Sequence, residues 1–172
     1  QISYDNKIDF SEVIDLEEEN NGIQYEKIQR EAINLALSKG FLVLTGGPGT
    51  GKTTTLNAII SLYQQQGLNV MICAPTGRAA KRLSDLTGFD AKTIHRLLEV
   101  KHTSGDTLAF IHDENNLLDC GALIIDEMSM VDSCLIEAVL RAISVTCKLV
   151  LVGDSDQLPS VGAGNVLKDI ID

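Results

Sequence analysis

Phe41-Leu42-Val43-Leu44-Thr45-Gly46-Gly47-Pro48-Gly49-Thr50-Gly51-Lys52-Thr53 is the stretch that decides how this chain is read. Its first five residues form a short continuous apolar run, the pattern of a strand buried on both faces. The next eight fit G-x-x-x-x-G-K-[ST], and a helical pattern over 52–66 follows and stops at Gly67. Strand, glycine-rich loop and helix in that order make an anion cradle. Glycines permit backbone angles that turn successive N–H groups inward, and the helix N-terminus adds its positive end. Lys52 is then placed to reach the β- and γ-phosphates of a nucleotide, and the Thr53 hydroxyl to ligate Mg²⁺. Gly47, Pro48, Gly49, Thr50, Gly51, Lys52, Thr53 and Thr54 are thus the candidate nucleotide-binding residues. A glycine-rich turn with no ligand is the plainer alternative, and the flanking strand and helix weigh against it.

Outward from the loop the alternation repeats. Apolar residues at Ile28, Ala32, Ile33, Leu35, Ala36 and Leu37 predict a helix over 25–39, closed by Gly40. A second buried strand is predicted over 69–74, a helix over 78–86 that breaks at Gly88, and a short helix over 93–99. Residues 100–119 are polar and irregular, with a small hairpin around Ser104-Gly105-Asp106. A strand over 122–126, a helix over 133–143 and a strand over 148–153 complete the pattern. Alternating strands and helices predict an α/β domain, a mostly parallel sheet with helices on both faces. Ligands in such sheets bind beyond the carboxyl ends of the strands. Polar clusters stand at four of those ends: 46–53, 75–78, 126–127 and 154–157.

Asp126 and Glu127 close the third apolar run. Asp126 is placed to hold Mg²⁺, and Glu127 to orient and deprotonate an attacking water. Alone, the pair would read as a helix cap. Beside a phosphate site, two carboxylates need a metal. A water-activating Glu also suits a hydrolase better than a small-molecule kinase. Gln157, in Gly153-Asp154-Ser155-Asp156-Gln157-Leu158-Pro159, is the candidate sensor of the γ-phosphate.

Composition removes several classes. The 172 residues are 44% hydrophobic, enough for one buried core and against a disordered tail. No apolar run nears the ~18–20 residues of a membrane span, and no signal pattern opens the chain, so no membrane partner is expected. Cys73, Cys120, Cys134 and Cys147 lack any CxxC pairing and read as reduced thiols of a cytoplasmic protein. Three Tyr, four Phe and no Trp argue against a base-stacking platform. The chain begins at Gln1 and ends in the apolar 166–171 stretch, which reads as a piece of a longer protein.

Together these residues resemble superfamily 1 helicases, and more narrowly the class B, RecD-type family of exodeoxyribonuclease V alpha subunits and their stand-alone relatives. Six ordered blocks carry the resemblance: Ile28-Gln29-Arg30-Glu31-Ala32-Ile33, the phosphate loop, Ala74-Pro75-Thr76-Gly77-Arg78-Ala79-Ala80-Lys81-Arg82-Leu83, Ala91-Lys92-Thr93-Ile94-His95-Arg96-Leu97-Leu98, Ile125-Asp126-Glu127-Met128-Ser129-Met130-Val131-Asp132, and the stretch from Gly153 to Gly162. Met128 and Ala163 stand where the family commonly has Ala and Pro. The resemblance implies a RecA-like P-loop NTPase domain over 23–172, behind an acidic leader and linker over 1–22. It implies that Gln29 reads the adenine edge of ATP. It also implies that Pro75, Thr76, Thr93 and His95 contact single-stranded DNA, with Arg78 beside that path, meeting either phosphate or a neighbouring carboxylate. The family's motor has a second RecA-like domain that carries an arginine finger. The resemblance therefore implies half of an ATP-dependent 5′-to-3′ helicase of DNA recombination and repair, with nuclease subunits among the partners of its class. Hydrolysis by this half alone should be poor.

The net charge of −10, from 24 acidic and 14 basic residues, argues against a free-standing polybasic binder. Its distribution is uneven. Residues 1–31 carry nine acids against three bases, and residues 106–172 twelve against three. Residues 71–105 reverse the sign, with six bases against three acids. Two rival readings remain at this point: a P-loop ATPase that remodels protein, and a nucleotide-gated interaction module without turnover.

Overall fold

The structure, a computed structural model, describes residues 9–46, 51–101, 105 and 109–154. In chain order, α1 (Ser11–Asn21) and α2 (Lys27–Lys39) lead into β1 (Phe41–Thr45), α3 (Lys52–Gln65) and β2 (Val70–Ala74). Then come α4 (Gly77–Thr87), β3 (Ala91–Thr93), α5 (Ile94–Leu98), and the short strands β4 (Val100–Lys101) and β5 (Ala109–Phe110). β6 (Ala122–Ile125), a 3₁₀ turn (Met128–Met130), α6 (Ser133–Ala142) and β7 (Lys148–Gly153) follow. Five strands make one parallel sheet in the order β1-β7-β6-β2-β3, while β4 and β5 pair antiparallel as a separate ribbon. The expected α/β class is present.

The uninterrupted apolar strands are explained by their two covered faces. Successive side chains of a strand point to opposite sides of the sheet. Ala122 and Ile124 of β6 and Val150 and Val152 of β7 join a cluster with Ile33, Leu37, Ile59, Leu62 and Tyr63 from α2 and α3. Leu123, Ile125, Leu149 and Leu151 point the other way, into a cluster with Ile94, Leu98, Ile136 and Val139 from α5 and α6. Both faces are buried, so these strands have no solvent face on which a polar residue would fit. Two clamps fix α2 against the sheet. The Tyr63 hydroxyl donates to Ala36 O at 2.7 Å, and Lys148 Nζ donates to Leu37 O at 3.0 Å while lying over the Tyr63 ring.

Two features depart from the expectations. Within the stretch 1–22 expected as acidic leader and linker, Ser11–Asn21 instead form α1, closed by a left-handed cap at Gly22. The helix forms because its acids have partners: Arg30 bridges Asp15 at 2.6 Å and Glu18 at 2.9 Å. Glu17 is buried, accepting from Asn21 and Gln65, and Ile14 enters the α2–α3 core. The short helix predicted over 93–99 is preceded by an unpredicted edge strand, β3, whose three residues are too few to show a period. The hairpin over 100–119 is real at its base, with Val100 opposite Phe110 and Lys101 opposite Ala109; Ser104 and Asp106 lie outside the described residues.

The docking of α1 is testable. Ile14→Ala should lower unfolding stability by about 2–4 kcal/mol in urea titration, the usual cost of emptying a core site. A change below about 0.5 kcal/mol, normal for solvated surface, would return the segment to a linker.

Candidate functional site

The site is assembled at the carboxyl ends of β1, β6, β7 and β2. At β1, Gly46 follows the strand and Gly51 begins α3; Gly47, Pro48, Gly49 and Thr50 lie outside the described residues. Gly51 has φ +78°, a left-handed backbone angle that favours glycine, and an added Cβ would press on the end of the Gln29 side chain. Lys52, Thr53 and Thr54 then occupy the first turn of α3. This is where the uncompensated N–H groups of a helix collect.

Gln29 reaches this corner from α2. Its Oε1 accepts from Glu26 N at 2.8 Å, closing a capping box, and its Nε2 donates to Gly51 O at 3.3 Å. Gln29 is thereby brought to the end of the phosphate loop, with both ends of its amide engaged.

At β6, the apolar run ends abruptly in Asp126 and Glu127. Asp126 N donates to Cys73 O of β2 at 2.9 Å, and Glu127 N donates to Asp126 Oδ1 at 2.8 Å. Glu127 has φ +56°, a left-handed conformation that costs a non-glycine residue energy and needs support around it. The 3₁₀ turn supplies it: Met130 N donates to Glu127 O at 3.0 Å, with Met128 and Ser129 buried beneath. Burial pushes the Asp126 carboxyl above its usual range, opposed by the Glu127 N–H and by the charges of Lys52 and Arg82. Burial and then the Asp126 charge push Glu127 up as well; Arg82 and Lys52 again oppose, and Asp154 adds to the rise.

β7 stands between β1 and β6. At ~4.8 Å per strand spacing, the ends carrying Lys52 and the carboxylates are about 10 Å apart across the sheet. That gap suits a terminal phosphate and a water. Asp154, after β7, faces the same gap, whereas Gln157 lies outside the described residues. The donor chemistry fits a divalent cation: two partly buried carboxylates lie side by side, both displaced toward the protonated form. Among the described residues no group of three His, Cys, Asp or Glu side chains is arranged to hold a metal. Mg²⁺ is commonly held by one or two carboxylates and substrate phosphates rather than by an all-protein cage.

The four residues expected at DNA fall at two adjacent strand ends. Pro75 and Thr76 follow β2, Thr93 ends β3, and His95 opens α5; Ala74 and Thr93 are paired. Both threonines are helix caps, Thr76 Oγ1 accepting from Ala79 N and Thr93 Oγ1 from Arg96 N, each at 3.2 Å. His95 is exposed, and its ring lies 5.9 Å from Phe110 of the β4–β5 ribbon. Arg78 is exposed at the start of α4. The arginine whose charge reaches the carboxylate pair is Arg82, one helical turn further on. Sequence reasoning placed Arg82 only in a basic strip. Its i+4 spacing from Arg78, which puts both on one helix face, was the available signal.

Raised carboxyl pKa values set a stability trend. In the folded chain Asp126 and Glu127 bind protons more tightly than in the unfolded chain, so stability falls as pH rises above their ordinary values of 3.8 and 4.5. Asp126→Asn keeps the acceptor for Glu127 N and removes the buried charge. It should make the ligand-free chain more stable than wild type at pH 7, with the gap narrowing toward pH 4 in urea titrations. An Asn variant less stable than wild type at pH 7 would contradict this electrostatic account.

Comparison with known proteins follows the same lines. The family described as AAA domain matches residues 29–163. The RecBCD enzyme subunit RecD of Mycolicibacterium smegmatis is 40% identical over 167 residues, covering 84% of this chain and 30% of that one. The ATP-dependent RecD2 DNA helicase of Deinococcus radiodurans is 46% identical over 123 residues, covering 72% and 16% respectively. Among solved structures, Bacteroides sp. Pif1 in complex with ADP-AlF4 superposes with a TM-score of 0.60 at 27% identity, over 87% of this chain and 36% of that one. The chain thus spans less than a third of the length of these two sequence relatives. With a parallel sheet that sets a phosphate-loop lysine opposite a buried Asp-Glu pair, the chain belongs to the AAA domain family as a RecD-like motor domain of superfamily 1 helicases.

Proposed function

We propose that the chain is the first of two motor domains of an ATP-dependent DNA helicase that moves 5′-to-3′ and serves recombination and repair. The observation that carries this reading is the placement of Lys52 across one intervening strand from Asp126 and Glu127, close enough for its charge to act on both. Lys52 binds the β- and γ-phosphates together with the N–H groups of the loop from Gly47 to Gly51 and of Thr53 and Thr54. Thr53 and Asp126 hold Mg²⁺, which when bound neutralises charge on the phosphate oxygens. Glu127, made more basic by burial and by Asp126, accepts the proton of the attacking water. Arg82 offsets the paired negative charge. Gln157 senses the γ-phosphate, and Gln29 reads adenine.

Single-stranded DNA lies over the ends of β2 and β3, against Pro75, Thr76, Arg78, Thr93 and His95. The local basic balance of residues 71–105 supports that path. Few phosphate contacts imply weak binding with a shallow salt slope, ~0.7 per contact. The second motor domain supplies an arginine finger, worth ~10³–10⁵ in rate. The isolated chain therefore binds nucleotide, hydrolyses it slowly and does not unwind. Nuclease subunits are candidate partners of the whole protein, and one relative is named as a subunit of the RecBCD enzyme.

Two measurements test the reading. Lys52→Ala should weaken Mg-nucleotide binding by about 10–100-fold in calorimetry, the worth of a charge-assisted phosphate contact; equal affinity would remove the phosphate site. In the whole protein, single-stranded DNA should stimulate ATP hydrolysis, and Glu127→Gln should lower it by about 10²–10⁴-fold. No stimulation, with Glu127→Gln fully active, would exclude a DNA motor.

A further inference from the structure

Cys120 and Cys147 sit just ahead of two neighbouring parallel strands, at the end of the sheet opposite the nucleotide site. Ala122 of β6 pairs with Lys148 of β7, and Lys148 N donates to Gly121 O at 3.0 Å. The two cysteines precede those residues by two positions and one position. They are therefore one strand spacing and one residue rise apart, roughly 6 Å, inside the ~4.4–6.8 Å that a disulfide spans between Cα atoms. Each thiol acts on the ionisation of the other, Cys120 belongs to the cluster of Leu123 and Leu149, and Cys147 packs against that cluster.

The two thiols are unequal. Cys120 is 8% exposed, its Sγ donating to Ala122 O at 3.0 Å, whereas Cys147 is only half-buried. The interaction with Cys120, aided by the Leu123 N–H, holds the Cys147 thiol below its usual range against burial. The same contact, with burial, pushes Cys120 up. A reachable, more acidic thiol beside a protected neutral one is the arrangement of an oxidisable cysteine with its resolving partner. Cys73 is fully buried and Cys134 is exposed on α6.

We propose that Cys120 and Cys147 form a dithiol site that hydroperoxides oxidise to an intramolecular disulfide. The Cys147 thiolate sulfur attacks one peroxide oxygen; the O–O bond breaks, the other oxygen leaves as hydroxide and takes a proton to become water, and Cys147 becomes a sulfenic acid. The Cys120 sulfur then attacks the Cys147 sulfur. An S–S bond forms, the S–O bond breaks, and the departing hydroxide carries off the Cys120 proton as water. Two thiols lose two electrons, and one hydrogen peroxide becomes two waters. The bond staples β6 to β7 at the ends remote from Asp126 and Asp154 and closes a ~27-residue loop, which restricts the unfolded chain.

The test treats the folded full chain carrying Cys134→Ser with stoichiometric hydrogen peroxide, then alkylates and digests with trypsin. The tryptic peptides 102–141 and 142–148 should be joined, while the peptide holding Cys73 remains alkylated. Cys147→Ser should abolish the link, and Cys120→Ser should leave a Cys147 sulfenic acid that dimedone traps. The oxidised chain should melt several degrees higher than the reduced one. In the chain with Cys134 retained, the same link should form ahead of any Cys134 oxidation. Peptides 102–141 and 142–148 recovered separately with both cysteines alkylated, or Cys147 driven to sulfinic acid with Cys120 still reduced, would overturn the proposal.

Discussion

Two adjacent carboxylates at the buried end of an apolar strand are the constraint on which the rest of this domain depends. β6 is wholly buried, so Asp126 and Glu127 leave the core where water is scarce, and burial pushes both toward the protonated form. Isolated buried charge is costly, and proteins either pair it, neutralise it or use it. Here the opposing charges come from Lys52 on the far side of β7 and from Arg82 on α4, each attached to a different helix. Strand order therefore matters as much as motif. With β7 between β1 and β6, the lysine and the carboxylates are held apart at a distance that leaves room for a ligand bearing both charge types.

The same geometry ties the proposed DNA path to the proposed chemistry. β2 seats Asp126 through the Cys73 carbonyl and, two residues later, turns into Pro75 and Thr76. Thr76 caps α4, which carries Arg82 toward the carboxylates. A strand of nucleic acid on Thr76 would thus press on a helix whose arginine sets the charge balance at Glu127. Thr93, paired beside Ala74, caps the next helix and lies on the same rim.

Much of this was legible in the sequence because it is local. Continuous apolar runs marked four strands, glycines marked where helices stopped, and the loop from Gly46 to Thr53 marked the candidate phosphate site. Non-local facts were not legible. Nothing in the spacing says that β7 separates β1 from β6. A three-residue strand such as β3 has no period to read. Helix α1 looked like solvated acid because its stability comes from Arg30, Gln65 and the core around Ile14, all distant in sequence. Arg82 was given no role of its own for a related reason, since nothing in the sequence shows that a basic residue on an amphipathic helix faces a buried carboxylate.

On the proposed function, Lys52 and Asp126 act on one ligand across β7. A double-mutant cycle measures this directly, using Mg-ADP affinities of wild type, Lys52→Ala, Asp126→Ala and the double variant, each with and without Mg²⁺. The account predicts a coupling of about 1 kcal/mol or more with Mg²⁺ present and a much smaller one without it. Strictly additive losses under both conditions would show that the two side chains serve separate sites, and would contradict it.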